Sequence, residues 1–479
     1  MATPITQQDY QAHDALGLAA LVAQREVTAG ELLETALTRL DQVNPAINAL
    51  AHRFEPLARA QIDAGMPAGP FHGVPFMTKD LGVMVKGAPM GAGSRAWNGF
   101  VAPADSVLTG RYRKAGLVIF GSTTSPELGL TSTTENRVQG QTRNPWATDR
   151  IAGGSSGGAA AIVASGVIPL AQASDGGGSI RTPASCCGLF GMKPSRGRVP
   201  MGPVRTESWN GMSVVHAVSR SVRDSAALMD ATCGIEQGAR YDATPPPSGG
   251  YLEHLQSAPK ALRIALWTKT WDDGDIDPEC ADAARDTARL CESLGHRVEE
   301  VRPPIDGGAL ATAFLAILMT NTRKDLEDRE AARGAPILDE ELETLTALYR
   351  ARASSVTGMD IQNAIAVQQQ TAIRIARFME DYDCILTSTQ GQPPVKLGLI
   401  SLSPADISAY GRDIFAFGPY TSAANHTGQP SMSVPLAWSS DGLPIGTMFT
   451  GRYGDEATLY RLAAQLEEAR PWKDKRPAL

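Results

Sequence analysis

The sequence predicts an α/β protein: a central mixed, largely parallel, twisted β-sheet covered on both faces by helices. Three observations lead there. Between Gly73 and Val215, short apolar runs such as 116–120 and 167–173 alternate with Gly-rich turns and small-residue helices, the pattern of strands buried on both faces. A strand–helix–strand unit follows from position 262, as LRIALW, a helix over about 278–294 and HRVEEV. Amphipathic helices flank this sheet at both ends of the chain.

In order, the first sixty residues read as helical cover. Leu33, Leu37 and Leu40 share a face, Thr28 and Glu31 form a capping box, and Asn44-Pro45 is expected to end the segment. Residues 305–380 read as helices over the core, with the apolar run from Ala309 to Thr320 and the Gln-rich stretch 368–370. Strands return at 384–388 and 431–436, and a closing helix from Asp455 carries Leu459, Leu462 and Leu466. TPPPSGG at 244–250 reads as a surface loop. The whole, 1–479, is expected to form one domain. Within it, 1–65 is a helical cover, 66–230 the core and 305–380 a cap over the site.

Composition narrows the function. The chain has 479 residues and a net charge of −7, with no basic run to neutralise a phosphate backbone, so nucleic acid is not an expected ligand. No apolar run spans a bilayer and the N-terminus lacks a signal-peptide pattern, which gives the expectation of a cytoplasmic protein with no membrane partner. Six cysteines without C-x-x-C spacing and seven scattered histidines indicate neither a disulfide scaffold nor a metal site.

The densest cluster of special residues is IAGGSSGGAAAIVASG (151–166) followed by ASDGGGSIRTPASCCGLFGMKP (173–194). Gly176, Gly177 and Gly178 follow an expected strand, where a sharp turn can aim successive N–H groups into one concavity and stabilise an oxyanion beside Ser179. Alone, GGGS more often marks a turn with a helix-capping serine. Ser155 and Ser156 precede a helix so apolar that it must be buried, and N-capping is the ordinary role there. Gly154-x-Ser156-x-Gly158 matches the nucleophile elbow of serine esterases, but NPWATDRIAGG offers no apolar strand before it. No histidine keeps company with these loops. Lys79, in GPFHGVPFMTKDLGV, ends a β-prone stretch, where desolvation would lower its pKa and let it act as a base.

Taken together, GVPFMTKD, TRNPWATDRIAGGSSGGAAAIVASG and SDGGGSIRTPASCCGLFGMKPSRGRVP resemble, in order and spacing, the signature region of the amidase signature family. Weaker similarity runs to the C-terminus. The resemblance implies a single α/β domain with a mixed sheet, and amide C–N hydrolysis without metal or organic cofactor. It also implies a Ser-cisSer-Lys triad of Ser179 as nucleophile, Ser155 as cis-serine and Lys79 as base, working through an acyl-enzyme. The chain departs from the family at Gly176, where Thr is common and where glycine could widen the pocket, and at Ala159, where Ser is common.

The expected substrates are small uncharged amides (anilides, aliphatic amides or oligoamides) or carbamates, held in a pocket lined by 309–319, 364–367 and 415–420. Beyond the substrate, the one partner considered is a second copy of the chain, as a homodimer. The rival functions are the glutaminase subunit of a tRNA-dependent amidotransferase and a G-x-S-x-G esterase.

Overall fold

The computed structural model describes residues 5–479. Eleven strands carry the architecture: β1 (Leu50–Arg53), β2 (Pro75–Lys79), β3 (Val118–Thr123), β4 (Leu170–Asp175), β5 (Phe190–Lys193), β6 (Val214–Ser219), β7 (Arg263–Leu266), β8 (Arg297–Glu300), β9 (Cys384–Ser388), β10 (Ser431–Trp438) and β11 (Pro444–Gly451). Eight form one sheet in the order β8-β7-β9-β11-β10-β5-β6-β4, and β1-β3-β2 form a second. The large sheet is mixed, as expected, but not largely parallel. Only the β7–β8 and β7–β9 ladders are parallel, and the other five are antiparallel. The reason is connectivity: β10 and β11 form a hairpin inside the sheet, and the single strand–helix–strand unit recognised in sequence supplies the β7–β8 pair. The second sheet abuts β4, where the Lys79 backbone N–H donates to the Gln172 side chain at 2.6 Å.

The helices follow their patterns. α1 (Ala29–Ile47) buries Leu33, Leu37 and Leu40, and both hydrogen bonds of the Thr28–Glu31 capping box are present. Pro45 does not end α1 but lies in its last turn, and the stop comes at Asn48 in the left-handed region. A proline there removes one donor near the helix end, while the Asn44 side chain accepts from Ala49 and Leu50 beyond it. α2 (Gly157–Ala164) is buried along its whole length, α3 (Pro278–Ser293) covers the β7–β8 crossover, and α4 (Gly307–Arg333) and α5 (Gly358–Phe378) account for most of 305–380. α6 (Glu456–Ala469) closes the fold on Leu459, Leu462 and Leu466.

Five cysteines are buried, Cys233 is half-buried, and none is paired in a disulfide. Among the described residues no helix is long and apolar enough to cross a membrane, and no His/Cys/Asp/Glu cluster could hold a metal ion.

Candidate active site

Lys79 is the last residue of β2, fully buried because both faces of that strand are covered. Its Nζ lies 2.7 Å from Ser155 Oγ and 3.0 Å from Ser174 Oγ. Burial lowers its ammonium from the ordinary 10.5 to about 7, against the pull of the Asp175 carboxylate. At pH 7 a large fraction of this lysine is a neutral amine.

Ser155 stands just before α2, and the Gly154–Ser155 peptide bond is cis. A side chain at 154 would overlap the Thr133 carbonyl, so this turn accepts only glycine. Ser156, the elbow candidate, is fully buried and turned away. Its hydroxyl donates to the Ser174 carbonyl and accepts from the Ser174 N–H, both at 3.3 Å. A short strand, Ala147–Ile151, precedes these serines, but it is not an apolar one. It pairs with Arg143–Asn144 on one side and meets the 395–397 segment on the other through an Arg150–Lys396 bridge, and it lacks the apolar run that an elbow strand needs.

Ser179 follows β4 and lines, with Ser155, Ser174 and Gly176, a cavity of about 340 Å³. Among the described residues no hydrogen bond joins its hydroxyl to Ser155. The loop is held from behind by Asp175, whose carboxylate accepts from the N–H groups of Gly178 (2.8 Å) and Ile180 (3.1 Å), from Arg181 Nη2 (2.9 Å) and from Asn425 Nδ2 (2.8 Å). Burial alone would raise that carboxyl, but the Arg181 charge and these hydrogen bonds outweigh it and hold it at about 2. Gly178 therefore cannot serve as the expected oxyanion donor, because its N–H is spent on Asp175. Those of Gly176, Gly177 and Ser179 have no acceptor among the described residues. Thr421 fixes the loop from the other side by donating to the Gly177 carbonyl at 2.6 Å.

Gly176 does not widen the pocket. The Trp209 indole fills the space, so close that a Cβ at 176 would lie 2.7 Å from its ring. Trp209 and Asn210 both hold positive φ, 53° and 52°, a conformation that costs a non-glycine residue on the order of 1 kcal/mol. Trp209 packs edge-on against Phe314 of α4, with ring centroids 6.0 Å apart. Ala159 is fully buried in α2.

The cavity wall comes from 81–108, 200–215 and the C-terminal half of α4, with Leu81, Met84, Phe100 and Trp209 among its apolar members. None of 309–319, 364–367 or 415–420 lines it. Those segments pack apolar side chains on other parts of the fold instead: Phe314 seats against Gly177, and Tyr420 packs on Trp271. His216 bonds Ser225 and His426 packs on Phe314, both buried and lowered to about 4 by that burial, and neither lines the cavity.

Sequence reasoning thus named the lysine and both serines but missed Ser174, Asp175, Arg181 and Asn425. Asp175 and Arg181 carried a signal, since opposite charges flanking an apolar, glycine-rich run must pair if they are buried. Ser174 and Asn425 carried none.

A family model described as Amidase matches residues 31–460. The chain belongs to the amidase signature family. It is 35% identical to the 6-aminohexanoate-cyclic-dimer hydrolase of Paenarthrobacter ureafaciens over 97% of this chain and 96% of that one. To the acylamidase of Rhodococcus erythropolis it is 32% identical, over 99% of each chain. The solved structure of 6-aminohexanoate cyclic dimer hydrolase complexed with substrate superimposes with a TM-score of 0.94 at 34% identity, covering 98% of this chain and 99% of that one. This amidase is accordingly a hydrolase acting on amide C–N bonds of small molecules.

Proposed function

We propose that this amidase cleaves small amides that are apolar and uncharged at the reacting end (anilides, aliphatic amides and oligoamides), and carbamates by the same route, through Ser179, Ser155 and Lys79. The observation that carries the reading is the 2.7 Å contact between Ser155 Oγ and a buried lysine lowered to about 7, at a cavity that Ser179 also lines. Residues 66–230 carry the chemistry in this reading, with 1–65 as cover and 305–380 as cap. The cyclic-dimer hydrolase and the acylamidase among the relatives support an oligoamide or acyl amide as substrate.

Ser179 Oγ attacks the carbonyl carbon while its proton passes to Ser155 Oγ, and the Ser155 proton passes to the neutral Lys79 amine. The free N–H groups of Gly176, Gly177 and Ser179 receive the oxyanion, each well-placed donor worth about 3 kcal/mol. The C–N bond then breaks, the leaving nitrogen takes a proton from Ser155, and Lys79 returns one to Ser155. Water attacks the acyl-Ser179 ester by the same relay and releases the acid. The Ser179 hydroxyl closes the relay by rotating toward Ser155 as substrate seats, in keeping with the looser contacts of unliganded sites.

Mass spectrometry after stopping a slow carbamate substrate tests this. The expected adduct is on Ser179 and is absent from Ser179→Ala. An adduct on Ser156 with Ser179 unmodified would transfer the activity to the elbow serine. Hydrolysis of anilides by the purified chain alone separates this reading from the glutaminase subunit of an amidotransferase, which works on glutamine with partner chains.

A further inference from the structure

The far end of the cavity is charged, unlike its middle. α4 links its two ends: Phe314, outside the cavity, seats on Gly177 beside Ser179, and Arg329, fifteen residues further along the helix, lines the cavity. At 1.5 Å per residue that separation is roughly 22 Å along the helix axis.

The guanidinium of Arg329 is fixed but electrically unmatched. Its Nε donates to the Ala96 carbonyl at 2.9 Å, and its plane sits over the rings of Trp97 and Phe100, 5.8 and 5.3 Å from their centroids. Its two terminal nitrogens donate to no acceptor, and no carboxylate lies within 4 Å, among the described residues. The surrounding charges, of which Arg205, Asp325 and Asp328 line the same cavity, are paired with other partners. Asp325 pairs with Arg205 at 2.7 Å, Asp328 with Lys324, Glu330 with Arg350 at 3.6 Å, and Arg333 with Glu341 at 2.8 Å. What remains is a planar cation, partly desolvated by aromatic rings, held in one orientation with its donor fork unused. That is the geometry that takes a carboxylate in two parallel hydrogen bonds.

We propose that Arg329 selects amides bearing a carboxylate at the end remote from the scissile bond. The proposal rests on the hydrolase reading above and narrows its substrate class. The reacting carbonyl sits among apolar walls at Ser179, and the chain beyond it ends on Arg329. A linear amide with one free acid terminus fits this arrangement better than one that is neutral throughout.

The test is a length series of acyl anilides, each made with a terminal carboxylate and with a terminal alcohol. For chains long enough to reach Arg329, the wild-type protein should favour the carboxylate by roughly tenfold to a hundredfold in kcat/KM, mostly through KM, and less so at high salt. Short members should show no preference. Arg329→Gln should bring the ratio close to one, and Arg329→Lys, which keeps the charge but not the fork, should leave part of it. As a check that needs no variant, a long alkanoate should inhibit the wild type competitively where the alkylammonium of equal length does not. Equal kcat/KM for acid and alcohol at every length, or a preference unchanged in Arg329→Gln, overturns the assignment while leaving the hydrolase reading intact. If no anilide is turned over and Ser179 does not acylate, both fall together.

Discussion

Two lysines of this protein are matched in almost every respect but one. Lys79 ends β2 and Lys193 ends β5. Both are fully buried, and burial lowers both to about 7. Lys79 points Nζ at two serine hydroxyls beside an open cavity. Lys193 donates to the Pro194 carbonyl at 3.0 Å, is set among Arg181, Asp175, Arg196 and Glu456, and does not line that cavity. Desolvation thus brings both lysines into the neutral range, and the proposed mechanism uses only one of them. The structural difference is the pair of serine hydroxyls on Lys79 Nζ and the cavity that those serines line.

The largest expected effect tests that difference directly. Lys79→Ala should lower kcat by at least about a hundredfold with the fold intact, the lower end for general acid–base catalysis. Lys79→Arg should do the same, since guanidinium stays protonated. Lys193→Met should change kcat less than about fivefold. If Lys79→Arg turned over at a near-native rate at pH 7 to 8, the site would need a positive charge rather than a proton acceptor.

A pH profile sharpens the comparison. Only neutral Lys79 accepts a proton, so kcat/KM should rise with pH through an ionisation near 7. Lys79→Ala should erase that limb and Lys193→Met should leave it in place. A limb that moved with Lys193 would reverse the assignment of the two residues.

The smallest effect is on stability. Each lysine is neutral in the folded protein above about 7, while in the unfolded chain it stays protonated up to about 10.5. Unfolding across that window takes up protons, so stability should climb as pH rises from 7 toward 10.5. Urea midpoints measured over this range should climb less steeply in Lys193→Met. An unchanged slope would mean that Lys193 is not desolvated in solution.

The lysines also show what could be read in the sequence. MKPSRG around Lys193 has the same apolar lead-in and nearby glycine as FMTKDLG around Lys79, so local context could not choose between them. The three signature segments together did. Helices were legible wherever a cap and an apolar face agreed, as in α1, and the mixed sheet was legible as a class. Strand direction was not, because β5 meets β10, and β9 meets β11, through pairings distant in sequence. The cavity wall was the least legible part. Apolar segments of α4 and α5 looked like pocket lining, yet the same composition serves internal packing, and the wall comes mainly from 81–108, 200–215 and the charged C-terminal half of α4.

The Asp175 clamp has an implication for how such a protein can change. It ties the Gly176–Ser179 loop to Arg181 and Asn425, neither of which lines the cavity, so in the proposed mechanism the reacting groups take their positions from the back of the site. The cavity walls belong mostly to other stretches of chain, which meet the clamp where Asn425 Nδ2 also donates to the Met212 carbonyl at 3.1 Å. New side chains can accumulate at the front while the machinery behind stays still, and a lineage built this way can trade one amide for another without relearning how to break it.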